Sequence, residues 1–77
     1  MIHVTIEYTF KGRHLKAAET TSDNDMVGFY IEIIEEDVKQ QIREYFLDQC
    51  IGWEKAMELE DREFNKFDKK KKITIKY

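Results

Sequence analysis

Between residues 38 and 67 the apolar side chains recur as one helical seam: Val38, Ile42, Tyr45, Phe46, Cys50, Trp53, Met57, Phe64 and Phe67. At about 100° per residue they fall within an arc of roughly 140°, which is the signature of a helix with one core-facing side. The seam is too long for its chain. A helix from residue 38 to residue 67 would measure about 45 Å. A compact chain of 77 residues has a radius of gyration near 11–12 Å and hence a diameter of roughly 30 Å. Gly52 stands in the middle of the seam, where glycine costs about 1 kcal/mol relative to alanine. Two solutions follow. The helix is bent or broken near Gly52, giving segments near 36–51 and 54–67, or it is continuous and its overhang packs on a second subunit. The opposite face favours continuity. It carries Asp37, Glu44 and Asp48 first and Lys55, Arg62 and Lys66 after, the order that complements the macrodipole of one long helix.

Upstream of the seam the pattern changes period. In residues 2–10, Ile2, Val4, Ile6, Tyr8 and Phe10 alternate with His3, Thr5, Glu7 and Thr9, as in a strand with one buried face. Lys11-Gly12 can reverse the chain into a second strand over residues 14–20. A two-residue loop opposes Phe10 to Arg13, Tyr8 to Leu15 and Ile6 to Ala17, and sets Glu7 opposite Lys16 on the outer face. A three-residue loop would put Leu15 on the wrong face, so the two-residue register is preferred over it; a four-residue loop preserves the parity as well. Residues 21–25 are polar and turn-like. Residues 27–34 concentrate β-branched and aromatic side chains, and Phe29, Ile31 and Ile33 share a face, which predicts a third strand. Glu35-Glu36-Asp37 then suits the first turn of a helix. Residues 73–77 alternate again and predict a fourth strand. The expected fold is α+β, a single domain over residues 1–77. Its antiparallel sheet of about four strands, in the order β-β-β-α-β, packs on one long helix bent or broken near Gly52.

Composition narrows the function. The single cysteine, Cys50, has no internal partner, and its place in the seam predicts a buried thiol. No signal-peptide pattern opens the sequence, so a reduced, cytoplasmic setting is expected. No apolar run approaches the ~20 residues that span a bilayer. The net charge of −3 conceals an asymmetry: residues 1–34 carry −2, residues 35–68 carry −6 and residues 69–77 carry +5. An acidic body with a basic tail excludes a uniformly basic nucleic-acid binder.

Catalytic and metal chemistry lack their constellations. Asp23-Asn24-Asp25-Met26-Val27-Gly28 supplies calcium-loop positions one, three and six, but Val27 and Ile34 fall where oxygen ligands are needed. Zinc needs four ligands, and the chain's only cysteine and imidazoles are Cys50, His3 and His14. Ser22, the only serine, has no nucleophile-elbow glycines around it. Asp37 and Lys39 are turned apart on a helix by the inward Val38. A toxin-like nuclease would have to rest on His3 or His14 with lysines. No catalytic, cofactor or metal residue is assigned, and the expectation is a protein that is not an enzyme.

Binding is the better-supported class. Leu47 and Ile51 are four residues apart on a helical face away from the seam, among acids that include Glu44 and Asp48. These four residues form the expected contact for another protein or for a second copy of the chain. The alternative partner is nucleic acid, held by Lys69, Lys70, Lys71 and Lys72 and an exposed sheet face. The same lysines would also protect an edge strand from pairing with other chains. Gly52-Trp53, Glu60-Asp61-Arg62-Glu63-Phe64 and Ile73-Thr74-Ile75-Lys76 together resemble the tail of a family of small prophage proteins that inhibit Cas9. The resemblance covers under half the chain, with gaps, and residues 69–72 depart from it by being basic. It implies a short acidic protein of phage or mobile-element type that acts by covering a partner's surface, in that family through an acidic face imitating DNA.

Overall fold

A computed structural model describes residues 1–77. Strand β1 spans Ile2–Phe10 and strand β2 Arg13–Thr21; a 3-10 turn at Asn24–Met26 leads into helix α1, Val27–Asp48. Helix α2, Trp53–Lys70, and strand β3, Lys72–Lys76, complete the chain. The sheet is antiparallel in the order β2-β1-β3. The fold is therefore α+β, with three strands rather than four and with two helices, the first of them starting at Val27 and so longer than the segment expected near 36–51.

The hairpin has the two-residue loop. Phe10 pairs with Arg13, Tyr8 with Leu15, Ile6 with Ala17 and Glu7 with Lys16. Lys11 and Gly12 both take positive φ, +49° and +77°, the geometry of a two-residue turn whose twist matches the flanking strands. β1 buries Ile2, Val4, Ile6, Tyr8 and Phe10 on one face. β3 adds to its other edge, with Ile73 opposite Ile6 and Ile75 opposite Val4.

Residues 27–34 are helical, not a strand. Val27, Ile34 and Val38 are buried and Ile31 packs against them, so a helical period runs through this segment into the seam and outweighs its β-branched composition. Packing of a helical face overrides local strand propensity. Phe29, assigned to the strand's buried face by the alternating reading, is exposed. Glu35, Glu36 and Asp37 consequently lie inside α1 and not in its first turn, which carries no acid. The turn before α1 is organised by Asp23: its carboxylate accepts the Asp25 N–H at 2.9 Å and its carbonyl accepts the Met26 N–H at 3.0 Å.

The core comprises twelve buried residues, five each from β1 and α1 plus Ala56 and Phe67 of α2. Phe10 meets Tyr45 and Phe46 edge-on at 5.0 and 5.6 Å, tying the end of α1 to the turn end of the hairpin. Phe67, fully buried, meets the Tyr8 ring edge-on at 5.2 Å and anchors α2 to β1. The molecule measures 43 × 21 × 19 Å with a radius of gyration of 13.8 Å. It is more elongated than the ~11–12 Å expected of a compact chain, because α1 alone is about 33 Å long.

Candidate functional site

The most distinctive surface lies where α1 gives way to α2, at the turn end of the hairpin. Helical hydrogen bonding ends as the Gln49 N–H donates to the Phe46 carbonyl at 3.2 Å. Cys50 then takes φ +55° and Gly52 φ +87° with ψ 153°. The second conformation is essentially reserved for glycine. The Ala56 N–H donates back to the Gly52 carbonyl at 3.0 Å and starts α2. This reversal resets the helical phase. α2 buries Ala56 and Phe67, with Leu59 and Phe64 half-buried against the core, and the seam positions just after the corner turn outward.

Trp53 is therefore 70% exposed and Met57 43% exposed, although the seam assigns both to the core. Cys50 is likewise exposed rather than buried, its thiol 3.8 Å from the Asp48 carbonyl. Leu47 and Ile51 are exposed, at 57% and 38%. Ile51 lies beyond the end of α1, so the pair is joined by the corner and not by a shared helical face. Leu47, Ile51 and Trp53 surround a shallow notch of about 190 Å³ floored by Phe46 and Ala56. Glu44 and Asp48 line a different concavity, of about 400 Å³, with Arg13, Gln41, Tyr45 and Gln49 on the β2 side of α1. The four expected contact residues are thus divided between an apolar notch and a polar neighbour. Trp53 is the notch member that the seam concealed, and Gly52 was the signal that the phase would change.

The lysine run is dispersed rather than aligned. Lys69 is exposed. Lys71, the C-cap of α2, is mostly covered; its ammonium ion-pairs with Glu35 at 3.0 Å and Asp68 at 3.6 Å and lies 5.2 Å from the centre of the Phe67 ring. Lys70 and Lys72 turn the other way, into a cleft of about 530 Å³ where α2 passes the end of β1. Lys11, Lys66 and His14 also line this cleft. Its two carboxylates are engaged: Glu7 lies 3.5 Å from His14, and Glu63 accepts a hydrogen bond from the Tyr8 hydroxyl. Burial, and then the Glu63 carboxylate, push the Tyr8 phenol well above its ordinary pKa, because both disfavour the phenolate.

No helix is long and apolar enough to cross a membrane. No protein-family model, curated protein or solved structure matches the chain.

Proposed function

We propose that this chain is a non-enzymatic protein-interaction module whose α1–α2 corner receives an apolar anchor from a different protein. The supporting observation is that Leu47, Ile51 and Trp53, three exposed apolar side chains, line one notch, with exposed Met57 one helical turn beyond Trp53 on α2. Exposed large apolar groups gathered in one place favour contact with a partner, and tryptophan is enriched where a few residues dominate such contacts. The surroundings define the partner's chemistry. Asp48 and Glu54 are interspersed with the apolar group in the chain, with Lys55 the one base among them, and residues 35–68 carry a net −6. A partner that presents an aliphatic or aromatic side chain flanked by lysine or arginine complements this surface. A second copy does not, because a two-fold contact through the corner sets like acids against each other.

Light scattering of the purified chain should give the monomer mass of 9.3 kDa. Affinity capture from host extract with the wild type, and in parallel with Leu47→Asp and Ile51→Asp, should yield a protein that both variants lose while their circular dichroism stays unchanged. Titration of that partner should shift the fluorescence of Trp53, the only tryptophan, to shorter wavelength. A dimer abolished by Leu47→Asp would assign the corner to self-association instead. Unfolding of both variants would show that the residues belong to the core, and an undiminished capture would place the interface elsewhere.

A further inference from the structure

We infer that the cleft between the end of β1 and the last turns of α2 is a binding site for a short oligophosphate. Four lysines from three elements line it: Lys11 from the hairpin turn, its ammonium about 6 Å from the Phe10 and Tyr45 rings, Lys66 and Lys70 one helical turn apart on α2, and Lys72 at the start of β3. None of the four ion-pairs with a carboxylate, whereas Lys71, in the middle of the same run, makes two such pairs. Glu7 and Glu63 also line the cleft, near His14 and the Tyr8 hydroxyl respectively, and offset only part of this charge. An acidic protein of net charge −3 therefore gathers an excess of positive charge around one concavity, four lysines against two carboxylates, an arrangement that favours an anion there.

The backbone contributes a donor. A two-residue loop makes Phe10–Arg13 the hydrogen-bonded closing pair, and alternation along β1 turns the Thr9 N–H and C=O toward the β3 side. Pairing with β3 reaches only to Glu7, so this N–H faces the open edge, and Thr9 lines the cleft. The cleft volume of about 530 Å³ falls within the usual range for small-molecule sites. The lining also discriminates among anions. Tyr8 is its only apolar member and is itself buried, so no exposed ring offers a platform for a nucleobase. Lys69 and Lys71 point elsewhere, so no continuous basic track follows the run. Recognition is of adjacent phosphates, whether of an inorganic chain or of a nucleotide.

Calorimetric titration of the full chain with inorganic triphosphate at low ionic strength tests this. Saturable one-to-one binding is expected, weakening with added salt. Lys66→Gln and Lys70→Gln should each lower the affinity about ten-fold, the loss of one charge-assisted contact. Lys69→Gln and Lys55→Gln, outside the lining, should leave it unchanged, and circular dichroism confirms that all four variants fold. Adenosine triphosphate binding as tightly as triphosphate supports an inorganic ligand; tighter binding supports a nucleotide with the same phosphate recognition. The inference is overturned by absence of saturable binding, or by Lys69→Gln weakening it as much as Lys66→Gln. It is also overturned by a single-stranded oligonucleotide that binds far more tightly than either phosphate, which would favour a nucleic-acid surface.

Discussion

The two glycines associated with the helices should respond to alanine with opposite signs. Gly52 has φ +87° and ψ 153°, a region that L-residues reach only with strain of about 1–3 kcal/mol. A Cβ built there meets no atom within 4 Å, so the penalty arises from the backbone alone. Gly28 sits in the first turn of α1, has no positive φ and is equally open. Alanine at that position restricts the unfolded chain and gains roughly 0.5 kcal/mol, the lower end of the helical glycine-to-alanine effect. In a domain of this size each kcal/mol moves the melting temperature by about 4–8 °C. Gly52→Ala should therefore lower the midpoint by at least ~4 °C and by as much as ~20 °C, while Gly28→Ala raises it by a few degrees. Thermal denaturation followed by circular dichroism, with urea melts to check that the slope is conserved, reads both. A synthetic chain carrying D-alanine at position 52 should recover most of the loss, because its mirror conformation lies close to the extended region. A neutral Gly52→Ala, or equal losses for the two enantiomers, would refute the argument from backbone handedness and with it the account of how the corner reverses.

Two further outcomes follow from the ion pairs and the buried phenol. Lys71→Gln should cost about 1 kcal/mol, a charged hydrogen bond discounted for partial exposure, whereas Lys69→Gln should stay within about 0.5 kcal/mol of the wild type; urea denaturation of the two variants measures the contrast. The raised Tyr8 pKa means that the folded chain holds a proton that the unfolded chain releases near pH 10. Its contribution is complete below that pH and is lost as pH rises toward the folded value. Tyr8→Phe should therefore lose about 1 kcal/mol at neutral pH and show a shallower alkaline decline. In a spectrophotometric titration, one of the four tyrosines should ionise only after the others, and that late step should vanish in the variant.

The parts of the fold legible in the sequence were those in which one periodicity stands alone. β1 alternates without ambiguity, and the match of Tyr8 with Leu15 and of Glu7 with Lys16 specified the hairpin register. The segment from Val27 to Ile34 satisfied two periods at once. Its alternating set, Phe29, Ile31 and Ile33, agreed with strand propensity, while Val27, Ile31 and Ile34 continued the helical seam. Burial against the sheet decided for the second set, a tertiary effect that local propensity does not contain. At the corner the difficulty was phase. Cys50, Trp53 and Met57 keep the seam only if the helix is continuous; the positive-φ residues Cys50 and Gly52 rotate α2 so that Ala56 is buried and Met57 exposed. The basic cleft was not legible at all. Lys11 and Lys66 are far apart in the chain, and only the packing of α2 beside β1 brings them to Lys70 and Lys72.

The central position of β1 also governs the order in which the sheet can be completed. Its pairing with β2 is local and needs only the Lys11-Gly12 reversal, but its pairing with β3 joins Ile6 to Ile73 and Val4 to Ile75 across nearly the whole chain. Such contacts bear a large loop-closure entropy and form late. Until β3 docks, β1 presents an unpaired edge and an apolar face together, the combination most prone to intermolecular strand exchange. The run of four lysines beside its two isoleucines is the kind of charge that opposes pairing of that segment with other chains. Two of those lysines, Lys70 and Lys72, also line the finished cleft.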